Sequence, residues 1–157
     1  MKTNLRLLTL AVALGVAWFT ANAPAAAAEP HAHAHIHKAT PKGGRLLDKT
    51  EPHAEFVVEK DRTVTINFYT EEMKPVAATT QTVTVVADAK GGKQTLQFEK
   101  KGDSLVSKSQ LPEGDGYNLV VQFKQTAEAR PVNLRFKLDL ALCAECKRAE
   151  YACTCEH

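Results

Sequence analysis

The sequence predicts an all-β fold in which two antiparallel sheets, with about seven strands in total, pack face to face. Between residues 45 and 140, apolar and polar residues alternate in short runs, as they do in strands that bury one face. Segments rich in Gly, Asp and Pro separate these runs, and no window longer than about ten residues carries a helical stripe. Because such strands would leave an apolar face exposed in one open sheet, two sheets must cover each other.

Six alternating runs account for most of the predicted strands, and they lie in residues 53–60, 63–70, 81–88, 93–100, 117–123 and 132–140. The last two runs alternate most regularly. The turn segments EKDR, DAKGGK, KKGD and LPEGDG supply the Gly, Asp and Pro that tight reversals require. We therefore predict one sandwich domain over residues 43–140.

The segment LPEGDGYNLVVQF predicts a more specific kind of sandwich. A leucine and a proline, a Gly/Asp turn and then Tyr117 at the start of a strand resemble the tyrosine corner, in which the phenol bonds to upstream backbone. A core tyrosine without such a partner is the alternative. The corner predicts an immunoglobulin-like or fibronectin type III-like sandwich.

Residues 1–28 predict a secretory signal peptide. Lys2 and Arg6 precede an apolar run from Leu7 to Ala21, and small residues follow up to Ala28, where we expect cleavage. The run is shorter than the roughly 20 residues that cross a bilayer. We therefore expect a periplasmic protein without membrane insertion after cleavage.

The charge balance excludes one class of partner. Segment 1–28 holds two of the 20 basic residues and none of the 18 acidic ones, so the rest of the chain carries 18 of each. Nucleic-acid binders carry a clear excess of cations. We expect no nucleic acid as a partner.

The sequence also lacks the common catalytic motifs. It contains no G-x-S-x-G, no H-E-x-x-H and no glycine-rich phosphate loop between a strand and a helix, so we expect no enzyme. Imidazoles and thiols are instead concentrated near the two ends of the chain. These groups are transition-metal ligands.

The histidine-rich segment, residues 29–42, is predicted to be a flexible arm. Its four histidines alternate with other residues, so an extended backbone places them on one side: His31, His33, His35 and His37. Neutral imidazole binds zinc, copper and nickel. The alternative is a solvated arm whose histidines bind nothing.

The C-terminal segment, residues 141–157, holds five further candidate ligands: Cys143, Cys146, Cys153, Cys155 and His157. The spacing is C-x2-C, six residues, then C-x-C, which suits one tetrahedral ion held by four thiolates, or by three thiolates and an imidazole. An oxidising compartment favours disulfides instead, and these would run between the two motifs. A thioredoxin-like role would need a βαβ unit, which the sequence does not predict.

His53 is the one histidine within the predicted sandwich. It shares a strand face with Glu51 and Glu55, and the three side chains could form a small site with nitrogen and oxygen ligands. A solvated strand face is the alternative.

The run PKGGRLLDKTEPHAEFVVEKDRTVTINFYTEEMKPV resembles a group of small periplasmic metal-associated proteins, and the N-terminal domain of some heavy-metal efflux adaptors. Members have a His-rich arm, a His-x-Glu strand and an immunoglobulin-like sandwich. His53 and Glu55 match the strand motif, whereas Lys42 stands where the group has histidine. The resemblance covers residues 31–76 and implies metal handling outside the cytoplasm.

We therefore expect an extracytoplasmic protein that binds a transition metal, zinc or copper first and nickel next, on two mobile arms carried by an inert scaffold. It would buffer or sequester the ion, or deliver it to an efflux component or metallochaperone. The alternative is a disulfide-stapled immunoglobulin-like interaction module without metal. A thiol oxidoreductase is a third hypothesis.

Overall fold

Nine antiparallel strands and one 3-10 helix make up the regular structure of residues 38–155, which are the residues described by this computed structural model. The strands are β1 Arg45–Leu47, β2 His53–Val58, β3 Val64–Tyr69, β4 Pro75–Val76, β5 Thr82–Ala89, β6 Gly92–Lys101, β7 Ser104–Ser107, β8 Asn118–Lys124 and β9 Val132–Lys137. The 3-10 helix spans Glu150–Ala152. The predicted signal peptide, the four histidines of the arm and His157 lie outside the described residues.

The strands follow one hydrogen-bonded path in the order β1-β2-β3-β7-β6-β5-β8-β9, and β4 pairs with β3. Strand β6 belongs to both halves of this path. Its residues 92–97 pair with β5, and its residues 98–101 pair with β7. One long strand therefore joins the two halves of the sheet.

The two halves face each other across an apolar core. Phe68 of β3 lies 6.3 Å from Phe123 of β8 between ring centroids, and Phe56 of β2 meets Phe136 of β9 edge to face at 5.3 Å. Such pairs add about 0.5–1.5 kcal/mol each beyond the area that they bury. The ends of the strand path therefore approach each other. We call the gap between β1 and β9, which borders a cleft of about 170 Å³, the seam.

The prediction of an all-β antiparallel fold is confirmed, and each of the six alternating runs contains a strand. Residues 38–155 contain nine strands rather than about seven. The three strands that lie outside the six predicted runs are β1, β4 and β7. They have three, two and four residues, which is too short to show a period of two. The immunoglobulin-like assignment stays a prediction.

The hydrogen bond predicted for Tyr117 is confirmed. Its hydroxyl donates to the carbonyl of Pro112 at 2.9 Å. Sequence reasoning missed a second partner, Arg62, whose Nη2 lies 3.1 Å from the Tyr117 hydroxyl and 2.9 Å from the carbonyl of Gly114. The guanidinium also donates to the carbonyl of Pro112. The corner is thus fixed by a cation as well as by the phenol.

Residues 40–44 form a turn that is held to the sheet by a buried carboxylate. Glu55, which is fully buried, accepts the N–H of Gly44 at 2.8 Å and that of Lys42 at 3.0 Å. The Tyr69 hydroxyl donates to the second Glu55 oxygen at 2.6 Å. Thr40 is buried, and its hydroxyl donates to the carbonyl of Gly44 at 2.7 Å. The end of the predicted arm is therefore hydrogen-bonded to the sheet from about residue 40 onward, although Pro41 and Lys42 are exposed.

Candidate metal centre

The cysteine-containing segment docks on the sheet through Tyr151. The Tyr151 ring lies 6.1 Å from the Phe56 ring and 6.4 Å from the Phe136 ring, between ring centroids. Its hydroxyl accepts the N–H of Val58 at 3.0 Å, and its carbonyl accepts Nη1 of Arg45 at 3.0 Å. Tyr151 thus contacts β1, β2 and β9, the strands on both sides of the seam.

The described part of the segment predicted to be a mobile arm is packed on the sheet. Tyr151, Ala152, Cys143 and Cys153 are all buried, and Tyr151 belongs to the hydrophobic core. The docking depends on tertiary contacts of one aromatic residue, which leave no periodic pattern in the sequence. The scaffold therefore holds the cysteines in place.

A tight hairpin brings the first two cysteines together. Leu142 and Ala149 form an isolated antiparallel bridge, and the N–H of Cys143 donates to the carbonyl of Arg148 at 2.8 Å. The N–H of Lys147 donates back to the carbonyl of Cys143 at 3.1 Å. Lys147 has a φ of 58°, in the left-handed region. This backbone reversal turns the C-x2-C motif into a loop.

The four sulfurs form one cluster. The Sγ atoms of Cys143, Cys146, Cys153 and Cys155 all lie within 4.8 Å of one another. The Sγ atoms of Cys146 and Cys153 are 3.6 Å apart, and those of Cys143 and Cys155 are 3.8 Å apart. A tetrahedral ion with Zn–S bonds of about 2.3 Å separates its sulfurs by about 3.8 Å. The sulfurs are therefore spaced as ligands of a single ion.

Backbone amides set the charge state of the sulfurs unequally. The main-chain amide of Arg148, helped by that of Thr154, lowers the pKa of Cys146 to about 6. Burial raises the pKa of Cys155, and the neighbouring thiols raise it further. The Cys155 amide donates to Sγ of Cys153 at 3.3 Å. One thiolate thus forms readily, and a bound cation would stabilise the other three because it offsets their mutual repulsion.

The structure brings the four cysteines together but does not bring His53 to them. Within residues 38–155, the four cysteines are the one set of three or more ligand-type side chains close enough to share an ion. His53 lines a separate cleft of about 260 Å³ with Glu51 and Glu71, and its buried Nδ1 has no hydrogen-bond partner among residues 38–155. The Glu55 carboxylate, predicted beside it, is occupied by backbone amides and Tyr69.

Two residues position the cluster through contacts that the sequence pattern does not predict. Tyr151 lies between the two cysteine motifs and fixes the segment to the core. Arg148 supplies an amide to Cys146, and its side-chain Nη2 donates to the carbonyl of Thr40 at 3.3 Å. The signal for Tyr151 is that it is the one Phe, Tyr or Trp residue in segment 141–157.

Comparison with known protein families, with curated protein sequences and with solved structures finds no match to this chain. The resemblance to efflux-adaptor domains therefore stays a prediction. Across residues 38–155, no helix has the length and apolar character needed to span a membrane. The fold and the site define an all-β protein whose four clustered cysteines could hold a metal ion.

Proposed function

We propose that this protein binds a transition metal outside the cytoplasm, with Cys143, Cys146, Cys153 and Cys155 as the ligands of one ion. The observation that carries the proposal is the mutual approach of the four sulfurs within 4.8 Å. Two motifs that are separated by six residues meet there because Tyr151 is anchored in the core. The scaffold thus prepares the ligand set, which lowers the entropy cost of closing it around an ion.

Zinc is the ion that this ligand set suits best. Four thiolates at tetrahedral spacing select Zn²⁺ or iron–sulfur chemistry among the common metals, and thiolates also suit Cu(I). Nickel fits the histidine-rich arm better than the cysteine cluster. Four protein ligands complete the coordination of Zn²⁺, so the site holds the ion as a closed site rather than as a catalytic one.

The broader role is buffering or sequestration of the ion, or its delivery to an efflux component or metallochaperone. The predicted signal peptide supports a periplasmic location. In addition to the cysteine cluster, the histidine-rich arm would offer weaker, exchangeable ligands. We also propose an immunoglobulin-like sandwich, a proposal supported by the hydrogen bond from Tyr117 to Pro112 and by the two facing halves of the sheet.

A disulfide-stapled interaction module is the second candidate, and one observation favours it. The Cys146–Cys153 and Cys143–Cys155 sulfur contacts each join one motif to the other, as disulfides in this segment would have to do. An oxidising compartment promotes such bonds.

The test counts thiols and bound metal on the same sample. Protein taken gently from its own host is weighed by native mass spectrometry and then titrated with a thiol reagent, with and without a chelator. We expect one bound ion and thiols that react only after chelation. The double variant Cys143→Ser/Cys153→Ser should bind no ion, whereas Ala144→Ser, an exposed change in the same loop, should bind it normally. An ion-free protein with no thiols in either condition supports the disulfide module instead.

A further inference from the structure

We propose that the cysteine cluster is a redox-releasable metal site. Oxidation would convert its four thiolates into two disulfides, each joining the C-x2-C motif to the C-x-C motif, and expel the ion while the segment stays docked. This inference rests on the proposed function, because the reduced thiolates must first hold an ion. It makes the thiol redox state the regulator of metal release.

The sulfur contacts favour disulfides that join one motif to the other. The two contacts, at 3.8 Å and 3.6 Å, use all four sulfurs, and each takes one cysteine from each motif. A disulfide bond is about 2.05 Å long, so each of these pairs must close by about 1.7 Å. A bond inside the C-x-C motif would instead force the bridge between two residues that are too close along the chain.

The position of Tyr151 explains why the segment would stay docked. Tyr151 lies between Cys146 and Cys153, so both disulfides enclose it, as the metal-bound loop does. Its ring and its hydrogen bonds to Val58 and Arg45 involve no cysteine side chain. The oxidised and the metal-bound states therefore constrain the same loop, and the core contacts persist in both.

The exchange chemistry balances with a disulfide as the oxidant, a class suited to an oxidising compartment. A cysteine thiolate attacks one sulfur of the oxidant, forms a mixed disulfide and releases one oxidant thiolate. The paired cysteine thiolate then attacks the protein sulfur and releases the second oxidant thiolate. Each pair of protein thiolates thus gives two electrons to one oxidant molecule as its disulfide forms. Two oxidant disulfides give two protein disulfides and four oxidant thiolates, and Zn²⁺ leaves with its charge unchanged.

The experiment starts from reduced, zinc-loaded protein and adds excess oxidised glutathione. Released zinc is followed with a colorimetric indicator, and the disulfides are mapped by peptide mass spectrometry at acidic pH. We expect one zinc ion released per two disulfides, both of which join one motif to the other, and recovery of zinc binding after reduction with dithiothreitol. Hydrogen exchange of the Val58 amide should be the same in both states. A disulfide within either motif, or a more than tenfold faster exchange at Val58 after oxidation, overturns the inference.

Two serine variants provide a matched control for the pairing. Cys146→Ser/Cys153→Ser leaves Cys143 and Cys155, one cysteine from each motif, whereas Cys143→Ser/Cys146→Ser leaves Cys153 and Cys155, both in the C-x-C motif. The first variant should form its disulfide severalfold faster, and equal rates count against the pairing. If the reduced wild-type protein takes up no zinc, the proposed function fails as well. If it takes up zinc but forms disulfides within a motif, only the redox inference fails.

Discussion

Cys146 differs from its three neighbours in the hydrogen bonds that its sulfur receives. The amides of Arg148 and Thr154 both lower its pKa, and the turn at Lys147 places the first of these donors. A thiolate that accepts N–H bonds is stabilised as an anion. We therefore expect Cys146 to lose its proton before Cys153 and Cys155, whose pKa values are raised, and to offer a thiolate to an incoming cation.

Limited alkylation of the reduced, metal-free protein tests this order. At pH 7, iodoacetamide should modify Cys146 before Cys155, because the pKa of Cys146 is lowered to about 6 and that of Cys155 is raised. Below that value, the thiolate fraction and the labelling rate of Cys146 should fall about tenfold per pH unit, since only the thiolate is nucleophilic. Peptide mapping measures the sites. In denaturant all four should react alike, and faster labelling of Cys155 in the folded protein contradicts the prediction.

The burial of Glu55 could not be predicted from the sequence. Its position beside His53 on an alternating strand indicates a solvated carboxylate or a ligand. The turn at residues 40–44 covers that face instead, and its amides satisfy the charge. A carboxylate that is paired with backbone donors can be fully buried, but the donors come from a segment that carries no sequence signal for it.

At the scale of elements, the turn before β1 depends on a close backbone approach at Gly44. A Cβ atom at this position would lie 2.3 Å from the carbonyl oxygen of Phe56 in β2. Real Cβ atoms do not approach backbone oxygens so closely, so the turn or the strand would have to move. The same turn carries the amides that bind Glu55.

The substitution Gly44→Ala should therefore destabilise the fold by about 1–3 kcal/mol, the usual cost of overpacking. Gly91→Ala is the matched control, because a Cβ atom there meets nothing within 4 Å and the substitution should change stability by about 0.5 kcal/mol or less. Urea unfolding of both variants, with the metal state held constant, gives the free energies. If the two substitutions lower the free energy of unfolding equally, the close approach at Gly44 does not determine stability.

The sequence predicts the long strands well because their alternation follows directly from burial on one face. Val85 and Leu119, for example, are fully buried and lie on strands that were predicted. The sharing of β6 between two halves could not be predicted, because its pattern does not change where its partner changes from β5 to β7. The cysteine spacing predicted a cluster, whereas its docking depends on the three-dimensional position of Tyr151.

At the scale of the whole molecule, the cysteine segment closes the seam. Strands β1 and β9 are the two ends of the strand path, and Arg45 lies 4.8 Å above the Phe136 ring between them. Burial lowers the pKa of Arg45, which accords with its position in the closed interface. Tyr151 adds its ring and its carbonyl to the same contact. Metal binding in the segment should therefore stabilise the entire fold.

Thermal unfolding in reducing buffer should show this coupling. Zinc at a free concentration about 100 times its dissociation constant adds roughly 2.7 kcal/mol to the folded state, which corresponds to a rise in Tm of roughly 10 °C for a domain of this size. The ion binds the folded ligand set and much less the unfolded chain. The double variant Cys143→Ser/Cys153→Ser should show no rise. If zinc does not change the Tm of the wild-type protein, metal binding by the cluster does not stabilise the fold and the prediction is wrong.

The order of the elements along the chain has a consequence for biosynthesis. Residues 141–155 leave the ribosome after all nine strands, so a growing chain carries β1 and β9 with their outer edges and the Phe56 and Phe136 rings uncovered. Exposed strand edges pair readily with other chains. Translation that stops before Tyr151 would yield an aggregation-prone product, whereas residues 141–155, once synthesised, cover this part of the sheet.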